Sequence, residues 1–261
     1  MLKFAANLGF LFTDLPFMER FSAAKKAGFR AVEFMFPYDY DLDEIEKQLQ
    51  ENGLVINLFN LPAGNWAAGE RGTATDPTRK EEFRAGVAKA IEAARKFNVK
   101  TVNCLVGKVV PAVSEEKIWA TLVENISYAA DALNEHGIKL MVEPINHYDM
   151  PGFYINTTQQ ALKLIADVNK ENVYLQYDIY HADREEEDHN EILKNHMAKI
   201  GHIQIADNPG RHQPGTGKID LKHLLAEIEK AGYNGYVGLE YVPEPDTLTS
   251  LKWLEEFGYK L

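Results

Sequence analysis

IKLMVEPINHYDMPGFYINTTQQALKLIADVNKENVYLQYD, residues 138–178, contains one whole repeat of the fold. A short apolar run, IKLMV, ends on Glu143. A loop of turn-forming residues follows, then an amphipathic segment near 157–169, then a second apolar run, VYLQY, that ends on Asp178. Strand, helix and strand in this order form the unit from which parallel sheets are built. Outward from it, strands are expected near 3–8, 30–34, 54–59, 100–105, 138–142, 173–177, 200–205 and 236–240. Helical patterns fall near 16–27, 41–52, 77–97, 114–136, 157–169, 188–198, 220–231 and 247–257. Eight of each in alternation predict a single (β/α)8 TIM barrel spanning 1–261. The competing open doubly wound sheet would need a Gly-rich phosphate loop after its first strand, and none is present.

Turn chemistry agrees with this division. Gly28, Gly53, Gly137 and Gly232 each follow a helical run and precede a strand, where a left-handed residue closes a helix. Asp41 with Glu44 reads as a capping pair, and Asp76-Pro77 puts proline at a first helical position. Within 114–136, Ile118, Leu122, Ile126, Ala129 and Leu133 share one stripe, as on a helix packed against a barrel. AGFRAVEF (27–34) and AGYNGYVGLEY (231–241) echo each other, which marks a recurring helix-to-strand turn. The long loops 60–76, 143–156 and 206–219 all follow strands, so they should rise on one face and shape a pocket there.

The chain has 261 residues and a formal charge of −11, which argues against nucleic acid as the main partner. A small anionic substrate remains compatible, because a local pocket can be positive on an acidic protein. The single cysteine, Cys104, excludes internal disulfides, suits a reducing compartment and reads as a buried strand residue. No cationic leader with a cleavage site and no run of about 18 apolar residues is visible, so a cytoplasmic chain without a membrane span is expected.

The chemistry should lie at the strand ends. Glu143, Asp178, Gln204 and Glu240 close four successive strand-like runs, at spacings of 35, 26 and 36 residues, about one strand-plus-helix unit each. In a parallel barrel those ends converge on one face. Three carboxylates held close together repel unless protons or a cation neutralise them. An oxygen-rich set of this kind suits a divalent metal such as Mg²⁺ or Mn²⁺, whereas zinc usually takes more His or Cys. The plainer alternative is a ring of salt bridges at the barrel mouth.

Around this set, His181 in YDIYH and His147 in EPINHYDMPGF are candidate substrate ligands. Arg211, Lys108 and Arg71 are the cations available to a substrate carboxylate, for which arginine offers a planar fork. Trp66 could close over a small site. His202 and His136 read as structural, His189, His196 and His223 as surface residues on helices, and His212 as a mouth-loop residue of open role.

The segments VEFMFPYDYD, NLPAGNWAAGERG, NCLVGK, VEPINHYDMPGF, QYDIYH, HIQIADNPGR with PGTG, and NGYVGLEY together resemble the hydroxypyruvate isomerase family, a branch of the xylose-isomerase-like barrels. The likeness extends over about residues 3–257. It implies a metal bound by Glu143, Asp178, Gln204 and Glu240, with Glu143 and Glu240 as the proton-transferring pair. It implies interconversion of hydroxypyruvate and 2-hydroxy-3-oxopropanoate (tartronate semialdehyde) through an enediolate. A related branch acts on 2-oxotetronates. Ketose 3-epimerases, a wider set of relatives, carry histidine where this chain has Gln204. A non-catalytic sugar-acid binding protein is the alternative outside enzymes. The expected partner is a small 2-oxo or hydroxy acid, with self-association into a homo-oligomer left open.

Overall fold

The computed structural model describes residues 1–261. Its elements run β1 (Lys3–Asn7), α1 (Phe17–Ala27), β2 (Ala31–Glu33), α2 (Leu42–Asn52), β3 (Val55–Asn60), α3 (Lys80–Lys96), β4 (Thr101–Cys104), α4 (Glu115–Asn134) and β5 (Lys139–Val142). They continue with α5 (Thr158–Val168), β6 (Val173–Asp178), α6 (Ile179–Arg184), α7 (His189–His196), β7 (Ile200–Ile205), α8 (Leu221–Lys230), β8 (Tyr236–Leu239), α9 (Thr247–Ser250) and α10 (Trp253–Phe257). Each strand pairs in parallel with the next, and β8 returns to β1 through Lys3↔Tyr236 to Ala6↔Leu239, closing the barrel. All eight strands begin within a few residues of where the alternating pattern places them. Short runs buried on both faces leave little freedom in register, because a one-residue slip would turn apolar side chains to the wrong side.

The helices cover the barrel with their apolar stripes. On α4 the buried set is Ile118, Thr121, Leu122, Asn125, Ile126, Ala129, Ala130 and Leu133. That set contains the whole stripe read from the sequence. Thr157 and Gln160 form a reciprocal capping box on α5. Gly28 and Gly53 close α1 and α2 with positive φ, where a side chain would be strained.

Several local expectations are corrected. Asp41 does cap α2, but through the Asp43 amide; Glu44 pairs with Gln48 and Lys47 instead of reaching back to the cap. Pro77 is not a first helical residue, because Asp76 binds the Thr78 amide and hydroxyl in a separate turn and α3 starts at Lys80. The last helical pattern divides into α9 and α10 around Leu251–Lys252. The short α6, directly after β6, has no counterpart in the sequence reading. Neither has the 3₁₀ turn Trp66–Ala68. Cys104 is buried, and desolvation pushes its thiol up to about 12.

Candidate active site at the strand ends

Every strand carries a polar side chain within one residue of its C-terminal end. In barrel order these are Asn7, Glu33, Asn60, Asn103, Glu143, Asp178, Gln204 and Glu240, all buried. The last four were expected from their spacing; the first four were missed. The same strand-end rule applied around the whole barrel would have found them. Hydrogen bonds join the ring: Asn103 Nδ2 donates to Asn60 Oδ1 at 3.2 Å and to Glu143 Oε2 at 2.9 Å. Asn7 Nδ2 donates to Glu33 Oε1 at 3.3 Å and to Glu240 Oε1 at 3.2 Å. Gln204 Nε2 donates to Glu33 Oε1 at 2.7 Å, while its Oε1 accepts from Gln176 Nε2 at 2.6 Å.

Above this ring lies a cavity of about 200 Å³. Glu143, Gln204, Glu240, His181, Arg211 and Trp66 all line it, with Phe10, Phe34, Leu105, Ile145 and Met150 supplying apolar walls. Gln176 and Asp149 also face it, and neither was foreseen. Arg211 lies between the Phe10 and Tyr180 rings, 4.7 and 5.0 Å from their centroids. Its Nη2 donates to Glu240 Oε2 at 3.0 Å and to Asp178 Oδ2 at 3.4 Å, and its Nε to the Glu240 carbonyl at 3.4 Å, leaving Nη1 without a protein partner.

His181 sits in the first turn of α6, whose N-cap is Asp178 through the Tyr180 amide. Asn146 Nδ2 lies 2.6 Å from His181 Nδ1, and Asp178 Oδ2 lies 3.5 Å from Nε2. With Asn146 donating, the ring proton belongs on Nε2. Burial first, and then Arg211 and Arg184, hold this imidazole well below the usual histidine range, so it is neutral at pH 7.

Four candidates stand outside the cavity lining: Asp178, which is buried behind it against Arg211 and His181, and Arg71, Lys108 and His147. Arg71 stacks on Trp66, with its guanidinium 3.9 Å from the ring centroid, and donates to the Trp66 and Glu70 carbonyls at 3.1 and 2.6 Å. Lys108 is held through its main chain, where its carbonyl accepts from Thr75 at 2.9 Å. His147 is exposed, and its amide and Nδ1 both lie 2.7 Å from Glu185 Oε1. Among the other histidines, His189 is not a free surface residue: its side chain is only 12% exposed and its Nδ1 is 2.7 Å from the Tyr177 hydroxyl. His202 lies inside the barrel, 3.0 Å from Glu33.

Charge balance dominates the physics of the cavity. Burial drives the carboxyl of Glu143 up to about 8, with Asp178 adding to the rise and Arg211 opposing it. Burial also raises Asp178 and, much further, Glu240, against the pull of Arg211. If all three carboxylates were ionised beside one guanidinium, two negative charges would remain, which one divalent cation would balance. Glu143 and Asp178 offer carboxylate oxygens within 4.8 Å of each other and of a His181 ring nitrogen; with Asn146 donating to Nδ1 and the proton on Nε2, His181 stands beside such an ion and the two carboxylates would hold it. Hard oxygen donors with at most one imidazole fit that ion. His181 was expected at the substrate, and its place beside Glu143 and Asp178 follows from the tight turn of α6.

Known proteins share this architecture. The family model described as a xylose isomerase-like TIM barrel matches residues 21–257. The chain is 52% identical over 257 residues to the hydroxypyruvate isomerase of Escherichia coli, covering 98% of this chain and 100% of that protein. It is 38% identical over 257 residues to a 2-oxo-tetronate isomerase of Cupriavidus necator, covering 98% and 99%. Among solved structures, one described as an AP endonuclease, family 2, from Brucella melitensis superposes with a TM-score of 0.95 at 40% identity, covering 98% of this chain and 99% of that one.

Proposed function

Because the chain belongs to the hydroxypyruvate isomerase family within the xylose isomerase-like TIM barrels, we propose that it is an isomerase, its length acting as one barrel domain, that interconverts hydroxypyruvate and 2-hydroxy-3-oxopropanoate (tartronate semialdehyde). The observation that carries this reading is the pairing of two buried carboxyl groups, Glu143 and Glu240, on one small cavity beside a fixed guanidinium. An aldose–ketose exchange needs one group to remove a proton from carbon and one to return a proton to the neighbouring carbon. Glu143 on the β5 side and Glu240 on the β8 side fill these roles. Burial raises both carboxyls in the metal-free chain; a bound cation would draw them down again, an effect that a site closed to water would partly offset.

Arg211 holds the substrate carboxylate with the nitrogen that protein groups leave free, and its two flanking rings fix its plane. His181, neutral, offers its Nε2 proton to a substrate hydroxyl. Trp66, backed by Arg71, closes the mouth against water, while Lys108 and His147 remain outside the contacts. A divalent cation, Mg²⁺ or Mn²⁺, would be held by Glu143 and Asp178, whose oxygens lie close together, and, as the family resemblance implies, by Gln204 and by Glu240, which here pairs with Arg211; it would supply the positive charge that the oxygens of an enediolate require. No helix is long and apolar enough to cross a membrane, and the proposed setting is the cytoplasm.

The Brucella protein is named for a nuclease activity. A nuclease would need a basic groove for phosphates, and this cavity is acidic on a chain of net charge −11. The test of the proposal is an NMR assay in D₂O with hydroxypyruvate, a four-carbon 2-oxotetronate and a neutral ketose offered side by side. Product is expected from hydroxypyruvate, with solvent deuterium at the reacting carbon. Turnover of the 2-oxotetronate alone would move the chain to the sister activity, turnover of the ketose alone to the epimerases, and no exchange with any of them would leave only a binding protein.

A further inference from the structure

Glu33 closes β2 and is fully buried, yet no step of the chemistry above uses it. Like Glu240 in the echoing segment AGYNGYVGLEY, it precedes an aromatic residue at the end of its segment, and the two acids stand at one level of the barrel, because Ala5 pairs with both Ala31 and Gly238. Glu240 faces the cavity; Glu33 turns inward beneath it. Space is made for Glu33 by Gly238, where a Cβ would stand 2.2 Å from Glu33 Oε1. Three amide nitrogens donate to its carboxylate, and one imidazole nitrogen lies close to it without hydrogen-bond geometry. Asn7 Nδ2 and Gln204 Nε2 reach Oε1 at 3.3 and 2.7 Å. Asn57 Nδ2 reaches Oε2 at 3.3 Å, and His202 Nε2 lies 3.0 Å from Oε2.

One of these donors, Asn7, is oriented independently of Glu33. The Oδ1 of Asn7 accepts from the Gly9 amide at 2.9 Å, which commits its nitrogen to Glu33 and Glu240. A carboxylate accepts and cannot donate, so an amide touching it must present its nitrogen. For Gln204 this forces Oε1 to the opposite side, toward the cavity and Gln176.

We propose that Glu33 is a positioning residue: by accepting from Gln204 Nε2 at the base of the ring, it holds the Gln204 amide with its oxygen toward the cavity and so sets the affinity of the site for a divalent cation. The proposal rests on the metal-binding reading given above. It explains why a neutral amide, with a donor and an acceptor end of nearly the same shape, serves in a ligand set where the wrong end would present two N–H groups to a cation. Through Asn7, the same carboxylate also steadies Glu240.

The test is Mn²⁺ binding to the purified full chain, followed by the electron paramagnetic resonance signal of free Mn²⁺, so that activity is not the readout. Glu33→Gln keeps the shape but adds a donor, which frees the Gln204 amide to turn over. Loss of an outer partner of a metal ligand costs about 10- to 100-fold in affinity, and a weakening in that range is expected. In a Gln204→Glu background both ends of the side chain are oxygen, so adding Glu33→Gln should cause no further loss. A role confined to folding would weaken binding equally in both backgrounds. Equal losses, or E33Q binding within about twofold of the parent, would overturn the proposal while leaving the metal site intact. A parent chain that binds no Mn²⁺ would overturn this proposal and the metal reading together. Should circular dichroism show E33Q unfolded, Glu33→Asp takes its place, since it keeps the charge beside His202 with an arm too short for Gln204, and the same outcomes decide.

Discussion

Replacing Glu143 with glutamine should flatten the dependence of stability on pH in the metal-free protein. In the folded chain the Glu143 carboxyl keeps its proton up to about 8, against an ordinary value of 4.5, because burial and then Asp178 disfavour its charge. The sign follows from proton counting. Between those two values the unfolded chain has released the proton and the folded chain has not, so ΔG of unfolding falls as pH rises. The slope is about 1.4 kcal/mol for each unit of pH, and the full window is worth up to about 5 kcal/mol at this nearly inaccessible position. Glutamine has nothing to titrate. Between pH 5.5 and 7.5 the stability of wild type relative to E143Q should therefore drop by about 3 kcal/mol, equivalent to roughly 6–12 °C in Tm for a chain of this size. The assay is urea unfolding with excess EDTA, followed by tryptophan fluorescence at each pH. Parallel curves for the two proteins would refute the reasoning, because they would mean that Glu143 titrates as a solvated glutamate does.

Other consequences can be checked with standard kinetics. Glu143→Gln and Glu240→Gln should each lower turnover by at least about 10²- to 10⁴-fold, the usual worth of a general acid or base, with unchanged circular dichroism; near-parental rates from either would remove it from the proton-transferring pair. Arg211→Met should lower kcat/KM for a 2-oxo acid by about 10- to 100-fold, the loss of one charge-assisted hydrogen bond; a parental value would show that the carboxylate is held elsewhere. Exhaustive chelation should abolish isomerisation, restorable by Mg²⁺ or Mn²⁺, and full activity after chelation would argue for two glutamates working without a cation. Gly238→Ala places a Cβ 2.2 Å from the buried Glu33 carboxylate and should cost about 1–3 kcal/mol of stability by overpacking; an unchanged urea midpoint would mean that Glu33 moves aside freely.

The barrel was legible because its signals are local. Runs such as IKLMV and VYLQY, followed by stripes such as Ile118, Leu122 and Ile126, identify elements without reference to distant residues. The acids at strand ends were legible for the same reason, since parallel topology carries them to one face. What stayed hidden depends on partners far apart in sequence or on the direction of a loop. Glu33 ends an ordinary-looking VEF, and its neighbours Asn57 and His202 lie 24 and 169 residues away. His189 looks like a polar helix position until Tyr177 meets it across a turn. The short α6 carries too few residues for apolar periodicity to register. Lys108, Arg71 and His147 stand on mouth loops as expected, but a sequence does not say which way a loop side chain points. Arg71 turns to Trp66 and His147 to Glu185, while Lys108 is tied to Thr75 through its carbonyl.

Crystals grown with Mn²⁺ and measured at the manganese absorption edge test the central claim most directly. One anomalous peak is expected at the mouth of the barrel, about 2.0–2.3 Å from oxygens of Glu143, Asp178, Gln204 and Glu240. A site with no peak, or a peak bound elsewhere while Arg211 still bridges Asp178 and Glu240, would contradict it.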